Sequence, residues 1–214
     1  MKHIALLTTL LLSASLQAVE KPYDYVFFEN SLMKGDYFYS QAKYTSPSWI
    51  KNARHHLPVA GSVAFTPGNS LELTYVSAPG GDWYSEIQYC PVRGNDFFRE
   101  PSTLSMQVRL RESMNAAALP NIAIRYADST YTQYLNLRNY LKDTRPGVWH
   151  PVSIPLEDFG LNAVNDTNIK KLAAVALRPG TADGNEYTIY LDDIELLPAS
   201  LPSVSALNAP VLQE

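Results

Sequence analysis

The chain has 214 residues, 46% of them hydrophobic and 18% charged, with a formal net charge of -4. That length fits one domain able to bury a sizeable core, and the mildly acidic balance excludes the basic footprint that nucleic acid selects. A lone cysteine, Cys90, excludes an intramolecular disulfide and a thiolate zinc site.

The chain opens on Met1-Lys2-His3, an apolar run over residues 4–12 broken by two Thr, and Ser13-Ala14-Ser15-Leu16-Gln17-Ala18. A basic start, a short apolar stretch and small residues in that order predict a secretory signal over 1–18, cleaved after Ala18. The apolar run is about half of what a bilayer span requires. No later segment is long and apolar enough for one. The product is expected to be secreted or periplasmic.

Residues 19–198 read as one domain. The whole chain's 15 Pro, 14 Tyr, 7 Phe and 3 Trp favour strands and turns over a helical bundle. Alternating runs fall at 71–76, 83–89, 104–111, 122–126, 130–138, 149–154, 171–177 and 187–196. Turn signals separate them, among them Pro67-Gly68-Asn69, Ala78-Pro79-Gly80-Gly81-Asp82, Asp128-Ser129 and Pro179-Gly180. Many short strands and no intervening amphipathic helix predict an all-β fold, a two-sheet jelly-roll sandwich. Residues 199–214 lose the pattern and read as a mobile tail.

The alternation also assigns faces. Leu104, Met106, Val108 and Leu110 oppose Ser105, Gln107, Arg109 and Arg111. Ile122, Ile124 and Tyr126 go inward and Arg125 outward. Over 130–138, Tyr131, Leu135 and Leu137 oppose Thr132, Tyr134, Asn136 and Arg138, with Gln133 off the polar parity. The two-residue link Asp128-Ser129 predicts a hairpin between the last two strands. If all three strands are neighbours, one face carries Gln107, Arg109, Arg125, Tyr134, Asn136 and Arg138. Forked guanidiniums, amides and a phenol suit a poly- or oligosaccharide, neutral or acidic. An ordinary solvated face has the same pattern, since antiparallel sheets usually leave one side wet. A structural or protein-interaction domain is therefore the competing expectation.

Two stretches bear on that choice. Gly147-Val148-Trp149-His150-Pro151-Val152-Ser153-Ile154-Pro155-Leu156-Glu157-Asp158-Phe159 resembles a segment common in jelly-roll carbohydrate-binding modules. Tyr187-Thr188-Ile189-Tyr190-Leu191-Asp192-Asp193-Ile194-Glu195-Leu196 resembles the final strand of the same galactose-binding-like superfamily, and Tyr25-Val26-Phe27-Phe28-Glu29-Asn30 fits its first strand. Phe28-Glu29-Asn30-Ser31-Leu32-Met33 and Ala78-Pro79-Gly80-Gly81-Asp82-Trp83 are similar to stretches of non-catalytic domains beside bacterial glycoside hydrolases. The resemblance implies carbohydrate binding without chemistry. It further implies a structural calcium held by Glu29 and Asp192, whose hard oxygens suit that ion.

Catalytic readings have thinner support. His55-His56 cannot both face one metal on an extended segment, and G-x-S-x-G is absent. A glycosidase would use Glu72 and Glu86, both on polar parities, flanking one bond at about 5–9.5 Å. A lyase would use Arg109 and Tyr134 with Gln107 and Arg138, without a histidine on the same face. Of the aromatics, Trp149 reads as core, one of Trp83 and Tyr84 must face outward, and Trp49 lies in a loop after Ser46-Pro47-Ser48 where an exposed ring could stack on sugar.

Overall fold

The computed structural model describes residues 25–89, 101–162 and 171–198. The expectations placed on Met1 to Ala18, on Cys90 and on 199–214 lie outside those residues. In chain order the strands are β1 (Tyr25–Phe28), β2 (Ser40–Thr45), β3 (Trp49–Ile50), β4 (Val59–Ala60), β5 (Ser70–Val76) and β6 (Asp82–Gln88). Then follow β7 (Pro101–Leu110), β8 (Asn121–Tyr126), β9 (Leu135–Asn136), β10 (Trp149–Pro155), β11 (Leu172–Arg178) and β12 (Glu186–Pro198).

They form the expected two-sheet jelly-roll sandwich. One sheet runs β10-β7-β12-β5-β3, with β1 added against β12 and β4 against β5; the other runs β2-β6-β11-β8-β9. The strand pairings are antiparallel, so one face of each strand can be apolar and the other wet. Thus β7 buries Leu104, Met106, Val108 and Leu110 and leaves Ser105, Gln107 and Arg109 on the outside. Facing it across the interior, Trp83, Ile87, Ile122, Ile124, Val175 and Leu177 complete the core. Tyr75 of β5 and Trp83 of β6 join the layers with ring centroids 4.8 Å apart. The Trp83 indole donates to Ser77 Oγ at 2.9 Å, which satisfies its buried N–H.

Strand β2 escaped the sequence pattern because Ser-Gln-Ala-Lys-Tyr-Thr lacks a run of large apolar residues. As an edge strand it needs little core of its own and is held by its register on β6, from Ser40↔Ile87 to Thr45↔Asp82. After β11 the chain passes close to the turn Ala116–Ala118. A Cβ at Gly180 would stand 2.2 Å from the Leu119 carbonyl oxygen, so this crossing requires glycine.

The hairpin from β8 is present, but the second strand is not continuous over 130–138. It comprises a bridge Arg125↔Tyr131, the two residues of β9 and a 3-10 turn, Leu137–Asn139. The cause lies at Thr132, whose Oγ1 accepts the Ile124 N–H at 3.0 Å while its own N–H donates to the Ile124 carbonyl. This side-chain bond replaces a regular ladder step and turns Thr132 into the interior. The parity slips there. Tyr131, expected inward, lies outside.

Candidate functional site

The outer face of the five-stranded sheet is built from the strand parities opposite the core. Its registers set Gln41, Glu86, Ala176 and Ala123 in one row across β2, β6, β11 and β8. A second row sets Gln88, Ala174, Arg125 and Tyr131 side by side. On the other flank Lys43 pairs with Tyr84, and Arg178 pairs with Asn121, which pairs with Asn136.

The three alanines explain what lies above them. Ala123, Ala174 and Ala176 are fully buried yet outside the core cluster, so longer neighbours cover them. Glu86 is only 3% exposed. Its Oε1 meets Arg125 Nε at 2.7 Å and accepts the Tyr131 hydroxyl at 3.0 Å. Arg125 also donates to the Tyr126 carbonyl at 3.0 Å. Small floor residues thus let a buried acid, a guanidinium and a phenol lie across the sheet, the acid ion-paired with the guanidinium and accepting from the phenol.

Aromatic rings sit on this layer. Tyr131 and Tyr134 stack with centroids 6.0 Å apart at 27°. The Arg178 guanidinium carbon lies 5.8 Å from the Tyr84 ring and 5.7 Å from the Tyr134 ring, and its Nη1 reaches Asp82 Oδ2 at 3.3 Å. Cation–π attraction to the ring faces holds Tyr84 and Tyr134 about Arg178. Burial, helped by the Glu86 carboxylate, pushes the Tyr84 phenol far above its ordinary pKa; burial also raises Tyr131 and Tyr134. All three remain neutral hydroxyls at physiological pH, able to donate and accept. Toward the β2 edge the face continues into a shallow hollow of about 280 Å³ lined by Lys43, Tyr44, Thr45, Asp82, Trp83 and Tyr84.

Of the six residues expected on one face, only part assemble here. Arg125 and Tyr134 share the face, with Arg125 beneath the rings. Asn136 lies at its margin and is spent on structure: its Nδ2 donates to Leu119 O and Asn121 Oδ1, and its Oδ1 accepts the Arg138 N–H. Arg138 is exposed on the 3-10 turn beyond β9. Gln107 and Arg109 belong to β7 in the seven-stranded sheet, on the opposite outer surface. Alternation orders side chains within a strand but does not say which strands are neighbours.

The same separation removes both catalytic pairings. Glu72 lies on β5 and Glu86 on β6, facing away from each other on opposite sides of the sandwich. Two sheets stack about 10 Å apart before outward side chains are added, too far for both acids to flank one glycosidic bond. Arg109 and Tyr134 are divided in the same way.

Sequence reasoning passed over Tyr84, Tyr131 and Arg178 as binding residues. Tyr84 was readable as the outward partner of buried Trp83. Gln133, off parity, marked the slip that exposes Tyr131. Arg178 continues the outward parity of β11 by one residue beyond the expected run. Trp149 was expected in the core and instead stands on the outer face of the seven-stranded sheet, against Phe65 at 6.1 Å. Trp49 is half-buried on edge strand β3.

Asp192 is fully buried. Its Oδ2 accepts the N–H groups of Phe65 (2.7 Å) and Thr66 (3.2 Å), and its Oδ1 accepts that of Asp193 (2.9 Å). Burial pushes its carboxyl up to about 6. Glu29 follows Phe28, whose partner is Ile194 beside the β12 bulge. Calcium takes six to eight oxygens, whereas the groups around Asp192 are N–H donors. Among the described residues no three acidic, histidine or cysteine side chains gather to hold an ion. These bonds anchor the loop before β5.

Residues 24–197 match the family model of carbohydrate binding domain 30. Among solved structures, the chain is similar to the family 30 carbohydrate-binding module of a cellulosomal cellulase from Clostridium thermocellum. That likeness has 16% identity, covers 82% of this chain and 98% of that one, and has a TM-score of 0.57. A second family 30 carbohydrate-binding module is 18% identical over 90% of this chain and 94% of its own, with a TM-score of 0.58. At such identities these likenesses concern the fold.

Proposed function

We infer that the chain, which belongs to the carbohydrate binding domain 30 family, holds a poly- or oligosaccharide without altering it, on the outer face of the five-stranded sheet. One observation carries the location: the stacked Tyr131–Tyr134 pair, continued through Arg178 to Tyr84. Tyrosine rings cover the apolar C–H face of a pyranose, while phenols, guanidinium and amide meet its hydroxyls. Tyr84, Tyr131 and Tyr134 are the platforms, Arg178, Gln88 and Lys43 the hydrogen-bonding rim, and Glu86 with Arg125 the support beneath. The signal expected over residues 1–18 supports export to where polysaccharide is met. No helix among the described residues is long and apolar enough to cross a membrane.

Native affinity electrophoresis against a panel of soluble polysaccharides tests this reading. At least one glycan should retard the protein without releasing reducing ends or unsaturated products. Tyr134→Ala should weaken that retention several-fold to about a hundredfold, the loss of one ring platform and its hydroxyl hydrogen bond. Unchanged retention for both Tyr84→Ala and Tyr134→Ala would place the ligand elsewhere.

A further inference from the structure

The opposite surface of the sandwich carries a second set of residues that the first site does not use. Registers across β10, β7, β12 and β5 align Trp149, Arg109, Tyr190 and Glu72 in one row on the outside of the seven-stranded sheet. Arg109 therefore lies directly between an indole and a phenol ring. The neighbouring row is Pro151, Gln107 and Asp192. Phe65, whose N–H is tied to Asp192, brings its half-exposed ring against Trp149 and widens the aromatic surface.

Arg109 is the anomaly in this row. Its Nε is buried without a hydrogen-bond partner, and among the described residues its guanidinium forms no ion pair. Both acids nearest by register are engaged elsewhere. Glu72 binds Lys51 Nζ at 2.6 Å, and the Asp192 carboxylate is met by three backbone N–H groups. A buried Nε–H without an acceptor is costly unless a ligand supplies one. A carboxylate does so with two oxygens matched to the guanidinium fork. Trp149 and Tyr190 stand two strand spacings apart, about 9.5 Å, the span from one sugar to the next but one, so two rings can lie on the aromatics while the acid group of the sugar between them reaches Arg109.

We propose that this face is a second binding site, selective for a uronate-bearing polysaccharide, with Arg109 receiving the carboxylate, Trp149 and Tyr190 stacking on flanking sugars, and Gln107 bonding hydroxyls. It is separate from the tyrosine face, and either site can exist without the other.

The full chain and three variants, Arg109→Gln, Trp149→Ala and Tyr134→Ala, are run in native gels containing polygalacturonate or a neutral glucan. Polygalacturonate should retard the parent and Tyr134→Ala alike, while Arg109→Gln and Trp149→Ala lose about tenfold or more in affinity, the first through a charge-assisted bond and the second through a stacking platform. Neutral-glucan retention should survive Arg109→Gln. Melting temperatures near the parent's confirm that the variants fold. Parent mobility unaffected by polygalacturonate, or Arg109→Gln retarded as the parent is, overturns the proposal. So does equal competition by polyglutamate, which would mean that the face reads charge without sugar. Loss through Tyr134→Ala alone would place acidic glycan on the first face and likewise overturn it.

Discussion

Glu86 should be the stability keystone of the tyrosine face. Its carboxylate is 3% exposed and pairs with an Arg125 side chain that is 15% exposed. Breaking a fully buried pair costs about 3–5 kcal/mol, because the remaining charge stays desolvated. Arg125 keeps some access to water, so Glu86→Ala should cost about 2–3 kcal/mol. Glu86→Gln retains an acceptor for the Tyr131 hydroxyl and should cost about 1–2 kcal/mol. Urea denaturation measures both, with an unchanged m-value certifying that only stability has moved. The decisive quantity is the coupling in a double-mutant cycle of Glu86→Gln with Arg125→Met. Residues in one ion-paired network should couple by about 1–3 kcal/mol. A coupling below about 0.5 kcal/mol would show that the pair contributes nothing specific and that Tyr131 is positioned by other means.

Further outcomes follow from individual side chains. Trp83→Phe keeps most of the apolar area but strands Ser77 Oγ and leaves a void, so denaturation should show a loss of about 1–3 kcal/mol. Asn136→Ala removes three hydrogen bonds at the hairpin margin; it should lower stability by about 1–3 kcal/mol while leaving glycan retention intact, since the side chain is engaged by Leu119, Asn121 and Arg138. Asp192→Ala leaves three N–H groups without their acceptor and should cost about 2–4 kcal/mol. Millimolar calcium should leave the melting temperature of the parent unchanged; a rise abolished by Asp192→Ala would restore the calcium reading.

Much of the architecture was legible in residue order. Period-2 runs such as Leu104-Ser105-Met106-Gln107-Val108-Arg109-Leu110 require a half-buried strand, because successive side chains leave the pleat on opposite sides. Eight such runs between turn residues already specify a two-layer β fold, and the short Asp128-Ser129 link specifies its hairpin. The split between buried Trp83 and outward Tyr84 was legible for the same reason. Tertiary structure decided the site. Gln107 and Arg109 look equivalent to Arg125 and Tyr134 by parity, yet β7 and β8 enter different sheets, since strand order depends on long-range pairing that no local pattern encodes. Tyr131 faces outward only because the Thr132 hydroxyl captures a backbone N–H on the neighbouring strand. Ala123, Ala174 and Ala176, unremarkable as letters, become the floor for Glu86 and Arg125 once three strands bring them together. Period follows from the geometry of one chain segment; adjacency follows from the packing of many, and a binding face is a matter of adjacency.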